Sequence, residues 1–326
     1  MKNCSLILLL FASITIIGCN PGRKEPRLIT DKVSATIERI NSSEVVLSAE
    51  PTLLDSYYGM QRMKTEHSYT YVDSRLDSIP SISKKDIGAT WYNNISREIF
   101  YCSLCLYIDK EFPSPAVFNR IEEAIDTTFI SGLSYFQQES ENAQFEAREK
   151  NIPQNTSQIF DLAASVFDGY TQKMLKEAYG KIDESEYIAD SRLCFVAHKI
   201  AEIGEFSTYL VGESYDYNGS NGAPYCESYY TIDNKTGLVI TAENIIKRRE
   251  EDVFKMMIFD KLCEYYKEID RETTLTKSSV NWLWESRSGI ALINEGILVY
   301  FHPYSIAEGA MGQINLIIPY SELKTL

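Results

Sequence analysis

The sequence predicts an α+β protein of two domains, with antiparallel sheets each packed against helices. Three observations carry that expectation. Period-two and period-3.6 apolar patterns occur in blocks along the 326 residues, not in strict alternation. The chain is long enough to bury one large core or two moderate ones. Its 22 Tyr and 14 Phe, plentiful for so acidic a chain, argue against disorder.

The chain opens MKNCSLILLLFASITIIGCN. Lys2 supplies a positive start, and Leu6 to Ile17 is an apolar run of signal-peptide length, too short to span a bilayer. It ends Ile16-Ile17-Gly18-Cys19, which resembles a lipoprotein box. That resemblance implies a signal peptide over 1–18, cleavage before Cys19, and a diacylglycerol on the Cys19 thiol. Asn20 resembles the pattern of lipoproteins destined for the outer membrane, facing the periplasm or the cell surface. The polar NPGRKEPRLIT that follows carries two prolines and little apolar surface, so residues 19–30 read as a lipidated tether. No later stretch reaches 18 apolar residues.

Next, KVSATIERIN (32–41) and EHSYTYVDSRL (66–76) alternate and read as strands, as does REIFYCSLCLYID (97–109). Pro115 suits a first helical turn with Ser114 as cap, and Val117, Ile121, Ala124, Ile125 and Phe129 form its stripe. Residues 134–157 are polar. A strong helix pattern follows over 157–180, with Phe160, Ala163, Ala164, Phe167, Tyr170, Met174, Leu175 and Ala178 on one face, Ser157 as cap and Gly180 as stop. From 187 the chain reads as two strands turning near Glu205, then the strand PYCESYYTID, then NKTGLVIT as a turn into a short strand. The segment 242–270 reads as a helix after a short initial turn, with Val253, Met257, Ile258, Leu262 and Tyr265 as its apolar side. A hairpin bends at Asn294-Glu295-Gly296, and GQINLIIPYSEL closes the chain with a strand. The implied organisation is an N-terminal α+β domain over 31–155, a helical connection over 156–186 and a C-terminal domain over 187–326.

Residues 1–18 carry one base, Lys2, and no acid, so 31 bases face 46 acids beyond them and the net charge is −15. That excludes nucleic acid as a natural partner and disfavours docking on anionic lipid through surface charge. Beyond Cys4 and Cys19, five Cys remain at 102, 105, 194, 226 and 263. The pair Cys102-x-x-Cys105 lies on a strand pattern, where residues three apart face opposite ways, and no second pair stands at metal-ligand spacing. No metal or cofactor site follows. The three His, at 67, 198 and 302, read as strand residues with hydrogen-bond partners. No nucleophile elbow, P-loop, G-x-G-x-x-G or H-E-x-x-H occurs, so no catalytic residue is assigned.

The stretches YDYNGSNGAPYCESYYTIDNKTGLVIT and GILVYFHPYSIAEGAMGQINLIIPYSEL carry a specific likeness. A Tyr-rich hairpin, a strand ending Asp-x-x-Thr-Gly, an aliphatic-Tyr-Phe strand, Pro-Tyr-x-Ile-Ala and Ile-Pro-Tyr-x-x-Leu follow one another. In these the chain resembles the DUF3298 family, best known from the extracytoplasmic part of a lysozyme-sensing anti-sigma factor. Residues 30–150 are compatible with the upstream DUF4163-like domain of many such proteins. The likeness has two departures. The turn reads Asn221-Gly222-Ala223-Pro224 where the family has a His, and Glu308-Gly309-Ala310-Met311-Gly312 replaces the usual Pro-Tyr-Ala-x-Gly.

The stretch 215–230 mixes Tyr with small polar residues, as adaptable recognition loops do. Tyr215, Tyr217, Asn218, Asn221 and Tyr225 are the candidate ligand-binding residues. The expected function is a lipid-anchored cell-envelope binding protein. The resemblance implies a cell-wall glycan or a basic muramidase such as lysozyme as ligand. A cell-wall-modifying hydrolase and a structural subunit of an envelope complex stay open beside it.

Overall fold

The computed structural model describes residues 25–42, 79–92, 99–125, 153–167, 190–217, 225–269, 275–281, 283, 289–302, 305–306 and 313–325. The expected strand 66–76, and with it His67, lies outside them.

Helix α1 spans Glu25–Asn41, where the sequence reading expected a tether running into a strand. Over 32–41 alone Val33, Ala35 and Ile37 alternate. With Ile29 added, Ile29, Val33 and Ile37 recur every fourth residue, and all three are buried. The helical period wins because it buries a continuous stripe. The helix stops where Ser42 N donates to Glu38 O at 2.9 Å and Ser42 Oγ to Arg39 O at 3.0 Å.

Strands β1 (Ile82–Tyr92) and β2 (Ile99–Asp109) pair antiparallel, from Ile82 opposite Asp109 to Tyr92 opposite Ile99. Helix α2 spans Pro115–Ile125. Ser114 Oγ accepts from Val117 N at 3.3 Å, and Val117, Phe118, Ile121, Ala124 and Ile125 are buried. Helix α3 covers 156–167. Its cap is Asn155, not Ser157: Asn155 Oδ1 accepts from Gln158 N at 3.0 Å, while Gln158 Oε1 accepts from Gln154 N at 2.6 Å. The Asn155 side chain adds to the bond that Gln158 N also donates to Asn155 O at 3.1 Å, and the Gln158 side chain satisfies an amide ahead of the helix. Ile159, Ala163 and Phe167 form its buried face.

Strands β3 (Asp190–Ile203), β4 (Phe206–Tyr217) and β5 (Tyr225–Asp233) complete a five-stranded sheet in the order β1-β2-β3-β4-β5. One pair departs from the antiparallel expectation: β2 and β3 run parallel, Tyr101 opposite Asp190 through Ile108 opposite Ala197. Parallel neighbours need a long crossover, and α2 and α3 lie within it in the chain.

After β5 come the short helix α4 (Ala242–Ile245) and helix α5 (Glu251–Glu268). The buried stripe of α5 is Phe254, Ile258, Leu262 and Tyr266, and Val253 is 52% exposed. The expected stripe shared Ile258 and Leu262 but was rotated by one residue. Strands β6 (Ile290–Ile293), β7 (Gly296–Phe301) and β8 (Ile314–Pro319) form a second, antiparallel sheet. A Cβ at Gly296 would lie 2.2 Å from Ile318 O, so the hairpin closes onto β8 only with glycine there.

The chain groups into two compact units, Met1–Glu66 with Lys199–Leu210 and Ser228–Leu326, and His67–His198 with Val211–Glu227. The first unit's core takes Ile29, Val33 and Ile37 together with Phe206, Phe254, Ile258, Val299, Phe301 and Ile318. The second is centred on Leu104 to Ile108, Ile121 and Phe195. Helices and antiparallel-rich sheets in separate blocks make the fold α+β.

Candidate functional site

The backbone of Tyr215 and Tyr217 lies in the last turns of the pleat of β4, and Tyr225 opens β5. The strands are sheet neighbours, so these three residues flank one connection. Asn218 and Asn221 lie in that connection, outside the described residues.

Three polar clusters stand out among the described side chains. The first is built on Asp233, at the end of β5, which has no exposed surface. Asp233 Oδ1 accepts from Lys235 N at 3.0 Å, Thr236 N at 2.8 Å and Thr236 Oγ1 at 3.0 Å. Gly237 takes φ +72° and donates its N–H to Asp233 O at 2.8 Å. The Asp-x-x-Thr-Gly sequence is therefore an Asx-type turn that spends the carboxylate's lone pairs on its own backbone. Asp233 Oδ2 faces α1 and accepts from Lys32 Nζ at 3.0 Å, while Glu205 stands 3.2 Å from the same ammonium. Burial alone would raise the Asp233 carboxyl; the bonds from Lys32 and Thr236 outweigh it and hold the group below its usual range. Lys32 is raised, chiefly by the Asp233 bond against the opposing effect of burial.

The second cluster joins β5, β7 and the start of β8. The rings of Tyr229 and Tyr300 meet edge-to-face at 5.0 Å, and those of Tyr300 and His302 at 5.4 Å. Tyr300 Oη donates to Tyr229 O at 3.3 Å. Burial, and then the neighbouring Tyr230, push the Tyr300 hydroxyl up, so it stays protonated. Burial lowers His302 to about 4 against an opposing bond from Gln313, whose Nε2 donates to Asn315 Oδ1 at 3.1 Å. At neutral pH this is an uncharged aromatic and amide cluster, and Tyr229, Tyr300 and Gln313 are each 2% exposed, so its stacking and hydrogen bonds are spent within the fold.

The third cluster belongs to the other unit. His198 Nδ1 and Asp109 Oδ1 are 2.6 Å apart, both residues are buried, and Thr156 Oγ1 donates to Asp109 O at 2.8 Å. His198 sits on β3, Asp109 ends β2 and Thr156 opens α3, so the three tie the crossover's helix to the sheet. A His–carboxylate pair is half of an acid–base constellation, and the Thr156 hydroxyl beside it is bonded to the Asp109 carbonyl oxygen. Among the described residues, no group of three His, Cys, Asp or Glu is placed to hold a metal ion. Cys105 is buried in β2.

The sequence pointed to the Tyr residues and to His198 and His302 individually. It gave no pairing for Asp109 or Lys32, because their partners stand 89 and 201 residues away.

The model of the family described as "Protein of unknown function (DUF3298)" matches residues 243–321. That span takes in Tyr300, His302, Gln313 and Asn315. A crystal structure of a DUF3298 family member from Bacteroides fragilis NCTC 9343 is similar at 12% identity and a TM-score of 0.45, over 76% of this chain and 93% of that one. A DUF3298 family protein from Pseudomonas aeruginosa PAO1 is similar at 11% identity and a TM-score of 0.38, over 76% of this chain and 94% of the other. No curated protein matches the chain.

Proposed function

We propose that this chain, which carries a DUF3298 domain over residues 243–321, is a lipid-anchored binding protein of the cell envelope, held at the outer membrane and facing the periplasm or the cell surface. The observation that carries the reading is Ile16-Ile17-Gly18-Cys19 behind an apolar run of signal length. The ligand is a cell-wall glycan or a basic muramidase such as lysozyme. A net charge of −15 beyond residue 18 favours association with a basic protein. The Tyr-rich stretch 215–230 supports recognition through rigid aromatic area and small polar residues. The upstream part of the chain is a DUF4163-like domain in this reading.

Two measurements test it. Intact-mass analysis of the membrane-extracted protein should find a diacylglycerol on Cys19 that Cys19→Ala lacks. Titration of the soluble 20–326 protein with lysozyme, and separately with soluble peptidoglycan fragments, should give binding with one of them. The combined change Tyr215→Ala, Tyr217→Ala and Tyr225→Ala should weaken that binding by about 1–2 kcal/mol or more while the melting temperature stays near the parent's. No binding to either probe refutes the ligand assignment. An early melt, or unchanged affinity, makes the tyrosines packing residues.

A further inference from the structure

Helix α1 begins at Glu25. Its buried face, Ile29, Val33 and Ile37, lies in the same core cluster as Ile203, Phe206, Ile245 and Tyr320. Lys32 binds the buried Asp233 at 3.0 Å. Thr36 is 7% exposed and packs on the β3–β4 turn, where a Cβ on Gly204 would lie 3.4 Å from Thr36 Cγ2. The helix is thus part of the folded body. To pull it out would expose three aliphatic side chains and strip a buried carboxylate of its cation.

Between Cys19 and Glu25 stand only Asn20, Pro21, Gly22, Arg23 and Lys24. A fully extended chain advances at most ~3.6 Å per residue, so over the six steps from Cys19 the backbone of Glu25 lies within about 22 Å of that of Cys19 whatever path the segment takes. We propose that α1 is a mooring helix that holds the unit containing it against a phospholipid surface, with its N-terminal end within reach of the headgroups. The proposal rests on the lipid-anchor reading of Cys19 and adds to it a distance and an orientation. The end of α1 that carries Ile29 is the end nearest the membrane, and the unit cannot travel far from the bilayer without unfolding its own core. A ligand of that unit is therefore met at the membrane surface. A ligand lying deep in the cell wall would have to come to it.

The test uses the lipidated full-length protein in nanodiscs of phosphatidylethanolamine and phosphatidylglycerol. A small fraction of the lipid carries a headgroup chelate loaded with gadolinium, or with lutetium as the diamagnetic reference. Backbone amides from Ile29 to Thr36 should lose most of their intensity with gadolinium. They should recover when a long flexible Gly/Ser segment is inserted between Asn20 and Pro21. Intact α1 amides in the parent chain, with a diacylglycerol on Cys19 in the same sample's mass spectrum, overturn the mooring and leave the anchor standing. An unmodified Cys19 overturns the anchor and the mooring together.

Discussion

Asp233 keeps a charge in a place with no solvent because every lone pair it presents has a donor. Its own turn supplies three hydrogen bonds and α1 supplies the fourth through Lys32. Lys32→Met takes the cation away and leaves the carboxylate buried. It should cost about 1–3 kcal/mol in urea unfolding, part of the pair's worth being lost to the partial exposure of Lys32. The pH dependence has a definite sign. The Asp233 carboxyl is lowered from 3.8 in the fold, so its contribution is complete above that value and is lost as pH falls further. Lys32 is raised from 10.5, so its contribution is complete below that value and is lost as pH rises through the raised one. His302 acts in the other acidic window. Burial depresses it from 6.5 to about 4, so the unfolded chain takes the proton first. Stability from the neutral ring is whole above 6.5 and declines as pH falls toward 4. His302→Gln should flatten part of that decline in melting temperature. An identical slope in the variant would mean that His302 titrates alike in both states. Of all this the sequence displayed the Asp-x-x-Thr-Gly turn. The cation that completes it sits 201 residues away, and no local pattern marks it.

Edges and ends decide the elements. Ile293 and Gly296 flank a two-residue bend, so Leu292 and Ile297 form a wide pair whose backbone groups point away from each other. On β6 that leaves Leu292 N–H and C=O facing off the ladder. Two threonines complete them. Leu292 N donates to Thr231 Oγ1 at 2.8 Å and Thr208 Oγ1 donates to Leu292 O at 2.5 Å. The hydroxyls stand 2.8 Å apart. Since Thr208 has spent its proton on the carbonyl, Thr231 must donate to Thr208. The three groups form a closed directional ring, and both threonine side chains are buried. Thr231→Val removes the acceptor of a buried amide and the donor to Thr208 while keeping the shape. It should cost about 1–3 kcal/mol in denaturant unfolding, and Thr231→Ser should recover most of it. If Val is tolerated without loss, water has reached β6. Element type was legible where period and length agreed, as in β2, α2, β5, the 294–296 bend and β8. It failed where two periods fitted one short window, as in 32–41. Strand β1 went unread because ISKKDIGATWY sets Lys84, Lys85 and Asp86 side by side and breaks the alternation.

At the scale of the whole molecule, chain order and spatial grouping part company. A sequence reading divides a chain by linear boundaries, whereas each compact unit here gathers separated segments. The α+β class was legible because it depends on block composition. The grouping was not, because it depends on contacts between α1 and elements more than 150 residues later, such as Lys32 with Asp233. Composition alone picks out Tyr215, Tyr217 and Tyr225 as candidates, by residue type, while the aromatic cluster of Tyr229, Tyr300 and His302 needed two sheets to bring it together. The placement of α1 makes one prediction that reaches across the chain. Val33 has no exposed surface and sits among residues from β3, β4 and the C-terminal segment. Val33→Ala leaves helix propensity no worse and removes two methyl groups from the core, so its effect reports packing alone. It should destabilise by about 1–3 kcal/mol, and the loss should appear in the unfolding of residues 199–210 and 228–326 as well as in α1. Hydrogen exchange reads this directly: amides of β7 and β8 should lose protection in Val33→Ala to the same degree as those of α1. If β7 and β8 keep the parent's protection while α1 alone exchanges faster, then α1 frays independently of the core. The unit would then fold without it.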